Sequence, residues 1–165
     1  MSTILATAAI NMAITATLRS ALPAVSGNAM LADTNNVALT IGSGVGAADG
    51  SFTTVGNVSS GTPVTIDFTS LHDPFGNAVT TGHVVGLKIT NLNTNLSSGT
   101  LAHGGGSNPL YAAMPAALAI APTDSFCQSF DGAGLPVTGG SAQNLQLSAS
   151  AGTVTYQVTA LLRST

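Results

Sequence analysis

The chain has 165 residues, only 5% of them charged, and its formal net charge is −3. A length of this order fits one domain, and such a domain buries enough surface to fold without a metal or disulfide staple. Its three bases, Arg19, Lys88 and Arg163, lie far apart in the sequence, which excludes the clustered positive charge that direct nucleic-acid binding requires.

The acidic residues are six Asp, and both Glu and Trp are absent. Glu, Lys and Arg are the usual residues of exposed helix surfaces, so long solvent-facing helices are not expected. Thr, Val, Ser, Asn and Gly take their place; Thr and Val favour strands, whereas Gly, Asn and Ser favour turns. The composition therefore predicts an all-β fold with a weakly charged surface, typical of a protein that packs against copies of itself or a larger assembly.

The first element in chain order is a strand. Apolar residues alternate with polar or small ones from Ile10 to Arg19, which is the pattern of a strand with one buried face. We expect residues 1–9 to form an extended arm before it. Ile4 and Leu5 gain nothing from solvent, so we predict that they contact a neighbouring subunit or a larger assembly. The predicted division is an N-terminal arm over 1–9 and a β-sandwich domain over 10–165.

The same N-terminal segment does not have the pattern of a signal peptide or a membrane span. No base precedes Arg19, and Asn11 interrupts the apolar run, whereas a signal peptide has a basic start and an uninterrupted apolar stretch. A transmembrane helix needs about 20 strongly apolar residues, and several Thr residues break this segment. We therefore expect no membrane partner.

The rest of the chain contains short runs with a period of two, separated by clusters of Gly, Pro, Asn and Ser. The last run is the clearest and places five residues on one face: Val154, Tyr156, Val158, Ala160 and Leu162. In "HVVGLKITNL" (83–92), the period places Val85, Leu87 and Ile89 together. The other runs, in chain order, are "VALTIGSG", "SFTTVGNVSS", "TPVTIDFTSL", "SSGTLAH", "PAALAIAPT" and "QNLQLSAS".

These runs predict about eight strands and no intervening helices, which excludes parallel βαβ units. The segment "SAGT" at 150–153 is expected to be a tight hairpin between the last two strands. The regular spacing predicts a single-domain antiparallel β-sandwich, and among sandwiches we favour a jelly roll.

The segment "HDPFGN" (72–77) combines possible ligands with turn residues. His72 and Asp73 are adjacent, but no third ligand follows at helical or hairpin spacing. Pro74 fixes its own φ, and the following Gly-Asn pair accepts a positive φ, which is typical of a turn. We predict that this segment is a corner between strands and that His72, Asp73 and Phe75 lie in an assembly contact.

The sequence gives little support for a metal site or a bound cofactor. His72, His83 and His103 are widely separated, and the chain has neither Glu nor a His-x-His motif that would suggest a cupin-like metal site. The "HGGGSNP" loop carries no Lys and does not join a strand to a helix, so it is not a phosphate-binding loop. We therefore predict no metal and no cofactor.

Catalysis is also not expected. The chain lacks the G-x-S-x-G motif of a serine nucleophile. Its one cysteine, Cys127, excludes an intrachain disulfide and has neither a base nor a cation nearby in sequence that would activate it. Phe126 and Phe130 flank it, so we expect a buried or half-buried thiol that acts as a small apolar side chain. The protein is predicted not to be an enzyme.

Several short motifs follow one another along the chain. After the strand "INMAITATL" come a "Leu-x-Asp-x-x-Gly" corner, a strand ending in "Ile-x-Asn", a Gly-rich loop, an apolar strand before a Pro, and a final strand with "Tyr-x-Val". This order resembles small virion structural proteins of tailed bacteriophages, and it covers most of the chain, although "ALLRST" replaces their small Gly/Ser ending. The residues in those places are Leu71, Asp73, Gly76, Ile89, Asn91, Tyr156 and Val158.

The resemblance implies a non-enzymatic capsid decoration, or cement, protein. Such a protein binds the major capsid protein on the outside of an icosahedral head, is often a homotrimer, and has no catalytic residues to carry over. The implied location is the virion, on the capsid exterior. Two alternatives stay open: a phage tail or fibre component, and a secreted or surface carbohydrate-binding β-sandwich. Sugar sites usually expose aromatic rings, and the chain has two Tyr and no Trp.

Overall fold

The computed structural model describes residues 8–19, 28–41, 43–73, 76–95, 97, 99–104, 106–110, 118–130 and 133–165, and over 8–19 and 28–41 it describes the backbone only. These residues contain strands, turns and no helix, so the all-β prediction is confirmed. The strands are β1 (Ala8–Arg19), β2 (Asn28–Ile41), β3 (Ala47–Ala48), β4 (Gly50–Ser59), β5 (Val64–Asp67), β6 (His83–Asn91), β7 (Leu101–His103), β8 (Leu118–Ile120), β9 (Ser125–Ser129), β10 (Leu135–Pro136), β11 (Asn144–Ala149) and β12 (Thr153–Arg163).

The chain divides into two compact units. The smaller is Ala9–Ala38, in which β1 and β2 are hydrogen-bonded neighbours. The strand predicted at the start of the chain is therefore confirmed, although which of its faces is buried lies outside the described side chains. The larger unit contains Leu39–Thr165, and there the last residues of β2 pair in parallel with β3. The arm predicted over 1–9 lies outside the described residues, apart from its last two.

The larger unit is a sandwich of two antiparallel sheets. The front sheet has the order β10-β6-β12-β4, with β9 also paired to β6, and the back sheet has the order β5-β11-β7-β8. Side chains from both sheets form one hydrophobic core, as two packed inner faces do. The predicted β-sandwich is confirmed.

The pairing of the strands is nested. β4 pairs with β12 and β6 with β9 in the front sheet. β5 pairs with β11 and β7 with β8 in the back sheet. With the two-residue β10 left aside, the first strand of the series thus pairs with the last and the second with the second-last; successive strands alternate between the sheets except at the innermost pair, β7 and β8, which share the back sheet. This connectivity is that of an eight-stranded jelly roll.

The core follows the predicted alternation along β12. Val154, Val158, Ala160 and Leu162 have no exposed surface, and Tyr156 is 5% exposed. The facing back sheet contributes residues that are equally buried. The largest of these are Leu101, Leu145 and Leu147. Leu87 and Ile89 of β6 in the front sheet, and Phe68 just after β5, are also fully buried.

Strand β6 departs from the alternation that its sequence predicts. Leu161 and Leu162 are consecutive on β12, yet they face Gly86 and Val84 on β6, so Val85 is an extra residue in a β-bulge. Val84 joins the main core with Leu87 and Ile89, whereas Val85 packs in a separate cluster. The prediction that Val85 shares a face with Leu87 and Ile89 was wrong, because the bulge shifts the alternation by one residue.

The predicted hairpin at 150–153 was also wrong. A tight turn is present, but β11 lies in the back sheet and β12 in the front sheet, so the turn crosses between sheets. Its backbone bonds to other strands: Ser150 N donates to Thr100 O, and Gly152 O accepts from Ser60 N. Turn residues mark where the chain reverses, but they do not determine which strands pair.

Candidate functional site

The predicted corner at 72–77 is a short, tightly bonded turn. His72 pairs with Ala78 in an isolated antiparallel bridge, and Asp73 N donates to Asn77 O at 2.8 Å. Gly76 N donates to Asp73 O at 2.9 Å. Gly76 has a φ of +83°, a conformation that glycine adopts without strain. Turn chemistry therefore shapes this segment, as its sequence predicts.

The Asp73 side chain is part of the turn. It is only 8% exposed, and its carboxylate accepts hydrogen bonds from Asn77 N at 2.9 Å and from Asn77 Nδ2 at 3.0 Å. These bonds tie the two ends of the corner together. Asp73 thus has a structural role that the sequence does not reveal, because Asp73 and Asn77 come within hydrogen-bond distance only when the chain reverses between them.

The corner exposes the His72 side chain, and not that of Asp73, to solvent. His72 is exposed, as are Gly76, Asn77 and Ala78. Of the predicted assembly contacts, only His72 and Asp73 belong to the described residues; His72 is exposed, whereas Asp73 is buried. Phe75, Ile4 and Leu5 lie outside the described residues. The prediction that these five residues make assembly contacts stays a prediction.

The three histidines occupy different environments. His72 is exposed on the corner, His83 is half-buried at the start of β6, and His103 is 1% exposed at the end of β7. Within the described ranges, no group of three or more His, Cys, Asp or Glu side chains is placed to hold a metal ion.

His103 lies in the sandwich interior, a position that the sequence did not predict. Its ring packs on Phe126 of the front sheet, with centroids 4.4 Å apart and an angle of 39° between the planes. Neither ring nitrogen has a hydrogen-bond partner. Burial lowers the pKa of this imidazole, because the charged form loses its hydration. The group is therefore held neutral in the folded protein.

Cys127 is half-buried on β9, as predicted. It lies opposite Lys88 of β6. Burial raises the pKa of the thiol, and the nearby Lys88 charge opposes this shift without cancelling it. A thiol that stays protonated at neutral pH is a poor nucleophile, so this pair gives no support to a catalytic role.

The outer surface of the front sheet is lined with hydroxyl and amide side chains, and we call it the hydroxyl face. Hydrogen bonds join its strands in rows: Thr53 to Thr159 at 2.8 Å, and Thr90 to Ser125 at 2.9 Å. The face consists of Ser51, Thr53, Val55, Asn57 and Ser59 on β4, Thr153, Thr155, Gln157 and Thr159 on β12, Lys88 and Thr90 on β6, and Ser125 and Cys127 on β9; opposite Ser51 it ends at the partly buried Leu161.

The remaining rows of the hydroxyl face are similar. Ser59 and Thr153 bond at 3.1 Å, and the Thr155 hydroxyl donates to Asn57 Oδ1 at 2.9 Å. These bonds hold polar side chains flat against the sheet. A signal for this face is present in the sequence as the polar residues at every second position of the β4 and β12 runs, but alternation alone predicts a polar side and not a site.

Lys88 is the one charged side chain among the residues that make up the hydroxyl face. A second base of the larger unit, Arg163, is 3% exposed. Its guanidinium donates to the carbonyl oxygens of Thr165 and Ala133. Backbone carbonyls therefore cover the charge of Arg163.

The chain matches no family model, no curated protein and no solved structure. Within the part of the chain that the structure describes, no helix is long and apolar enough to cross a membrane. The functional interpretation therefore depends on the fold, on the hydroxyl face and on the resemblance noted in the sequence.

Proposed function

We propose that the protein is a non-enzymatic structural component of a virion, which binds the outside of a phage head and stabilises it. The major capsid protein is the proposed partner, and the capsid exterior is the proposed location. The observation that carries the proposal is the hydroxyl face. This face is a broad polar surface on the jelly-roll sandwich, and Lys88 is its single charged side chain.

Such a face suits contact with another protein. Charged residues are depleted at the cores of protein interfaces, because their hydration must be given up on binding. Ser, Thr and Asn side chains bond to one another across the strands when the face is free, and they offer donors and acceptors to a partner when it is covered. The face therefore meets a second surface with a small desolvation penalty.

The charges of the larger unit favour a protein partner over a nucleic acid. Phosphate recognition depends on several Lys or Arg side chains acting together. Lys88 stands without another base on the hydroxyl face, and Arg163 is buried against backbone carbonyls. Neither base belongs to a cluster that would attract a phosphate backbone.

A carbohydrate-binding sandwich has less support. Sugar sites use exposed aromatic rings, and among the described side chains Phe52, Phe68, Phe130 and Tyr156 are buried. Phe126 is half-buried against His103. No described aromatic side chain offers an open platform, so we do not propose a sugar ligand.

The test is immunogold electron microscopy of virions produced by the virus that encodes the chain, with an antibody raised against the purified protein. Gold on the heads of intact particles is the expected result. Label on tails would assign the chain to a tail or fibre component and overturn the proposal. Particles that carry neither label nor peptides of the chain by mass spectrometry would also overturn it.

Self-association is a separate part of the proposal. The resemblance implies a homotrimer, and the mass of the free protein in solution, measured by light scattering, tests it. A mass that is not a multiple of three chains would overturn the trimer but not the capsid contact.

A further inference from the structure

The four edges of the sandwich differ in how they are protected against pairing. In the back sheet, the edge strand β5 has four residues and ends at Asp67, and Pro63 precedes it. The other edge strand, β8, has three residues and is followed closely by Pro122. Short length, Pro and charge are the usual means by which sheet edges avoid pairing with another chain.

The front sheet has one protected edge and one open edge. On one side β9 and β10 share the border; β10 has two residues and contains Pro136, and β9 has five residues and directly follows Asp124. On the other side lies β4, which has ten residues and contains neither Pro nor a charged side chain. It pairs with β12 over all ten residues without a bulge. In the described residues, no other strand pairs with its free edge, apart from a local bridge between Ser59 and Thr62.

We propose that the free edge of β4 binds the same edge of a second copy of the chain, in antiparallel register about a two-fold axis at Val55. A two-fold contact uses the same surface on both copies, so the strand must be complementary to itself. In this register, Val55 faces Val55 of the second copy, and the paired segment is 52–58, which leaves out Ser59 because Thr62 already occupies its edge. The front sheet then continues across the dimer.

The side chains fit this register on both faces of the sheet. On the hydroxyl face, Thr53 lies opposite the second copy's Asn57, which is a pair of hydrogen-bonding side chains. On the inner face, Phe52 lies opposite Val58, and pairs of aromatic and β-branched residues are among the favourable cross-strand contacts.

The exposed apolar residue of β4 lies at the centre of the contact. Val55 is 58% exposed, and pairing with its copy covers it. Charge does not oppose the contact, since like charges that face each other across strands are destabilising and β4 has none. The nearest charged residue, Asp49, lies outside the paired segment.

The inference goes beyond the proposed function and stands apart from it, because a head protein binds its capsid whether or not its copies pair. A two-fold contact produces assemblies with an even number of chains. If the implied trimer also forms, the contact joins two trimers, and a species of six chains results.

The first test is disulfide cross-linking in a Cys127→Ser background. In a directly opposed antiparallel pair the Cα atoms lie about 4.5–5.5 Å apart, within the range of about 4.4–6.8 Å that a disulfide spans. Val55→Cys is therefore expected to form a covalent dimer on mild oxidation. Asn57→Cys is the matched control on the same strand, because its copy lies roughly 13 Å away along the strands. Val45→Cys, at another highly exposed valine, is the control for random collision.

Two further outcomes define the register. A mixture of Thr53→Cys and Asn57→Cys proteins, with different mass tags, is expected to give the mixed dimer. Efficient cross-linking of Asn57→Cys to itself, or equal cross-linking of Val45→Cys and Val55→Cys, would overturn the proposal.

The second test is the mass of the assembly. Val55→Lys places two positive charges against each other at the axis, so we expect it to halve the mass of the wild-type species measured by light scattering. Val45→Lys adds the same charge away from β4 and is expected to leave the mass unchanged, and circular dichroism checks that both variants are folded. A wild-type protein with one or three chains, or a Val55→Lys variant with the wild-type mass, would overturn the proposal.

Discussion

At the scale of single residues, Asp73 has the clearest stabilising role. Its carboxylate holds both the backbone N–H and the side-chain amide of Asn77, so its loss leaves these donors without their partner. We expect Asp73→Ala to lower the free energy of unfolding by about 1–3 kcal/mol. Urea denaturation measures this change.

The neighbouring residue is the control for this prediction. His72 is exposed, and exposed substitutions usually change stability by less than about 0.5 kcal/mol. His72→Ala should therefore leave the unfolding midpoint nearly unchanged. Equal losses in the two variants would show that the Asp73 bonds are not what stabilises the corner.

His103 makes the stability of the fold depend on pH. Burial lowers its pKa below the ordinary value of 6.5, so the unfolded chain takes up a proton at a higher pH than the folded protein does. The stability that follows from the neutral ring is complete above the unfolded pKa and decreases as the pH falls toward the folded pKa. We expect the wild-type protein to be less stable at pH 5.5 than at pH 7.5.

Two variants separate this effect from the other acid-sensitive groups. His103→Leu should abolish most of the difference between pH 7.5 and 5.5, and it should raise the stability at pH 7.5 by about 1 kcal/mol, because two unsatisfied polar atoms leave the core. His72→Leu should keep the wild-type difference. Hydrogen bonds from Thr69 lower the pKa of Asp67, so this carboxylate stays charged throughout the range. An unchanged pH difference in His103→Leu would contradict the prediction.

At the scale of elements, the contact between β4 and β12 depends on one glycine. Gly56 faces Tyr156 across the ladder, and a Cβ at position 56 would lie 2.6 Å from the Tyr156 hydroxyl oxygen and 2.8 Å from Cζ. The buried ring covers the glycine and leaves no room for a methyl group. We expect Gly56→Ala to destabilise the protein by about 1–3 kcal/mol.

A second substitution shows whether the ring is the cause. Tyr156→Leu shortens the side chain above position 56, so the double variant should lose less stability than the sum of the two single losses. Gly139→Ala is the matched control, since nothing lies within 4 Å of its added Cβ. Strict additivity of the two losses would contradict the explanation that the Tyr156 ring causes the loss in Gly56→Ala.

The sequence predicted the elements better than their pairing. Alternation located β12 and its five inward residues, because both faces of that strand have a consistent polarity. It failed at Val85, where a bulge changes the face without any change in residue type. It did not find β9, because "SFCQS" is short and lacks the strong alternation of β12.

The candidate site was predictable to a smaller extent. The corner was found because Pro, Gly and Asn determine backbone geometry locally. The burial of His103 was not found, because it depends on Phe126 of the opposite sheet. The hydroxyl face was not found either, since its rows join strands that lie as far as 106 residues apart in sequence. Contacts of this kind depend on topology, which local patterns do not contain.

At the scale of the whole molecule, the predicted N-terminal arm can be tested by deletion. Removal of residues 1–9 should leave a folded β-sandwich, as seen by circular dichroism, that binds purified phage heads more weakly than the full chain. The reason is the loss of the apolar side chains of Ile4 and Leu5, each of which contributes roughly 1.5–3 kcal/mol when fully buried.

The arm prediction fails in two distinct ways. Unchanged binding to heads by the shortened protein would show that the arm makes no contact there. An unfolded product would instead show that the arm completes the fold of its own chain. Wild-type protein, measured in the same sedimentation assay, is the reference for both.

The nested pairing also determines when the protein can fold. The bond from the Thr53 hydroxyl to Val158 O joins residues 105 positions apart. The ribosome therefore adds about that many residues after β4 before its partner strand β12 is synthesised. At a synthesis rate of about 5–20 residues per second, this delay is on the order of 5–20 s. During that time an uncharged strand has a partner on neither side, which is the condition under which strands aggregate. The jelly roll can close only after β12 has been synthesised, however fast its own folding step is.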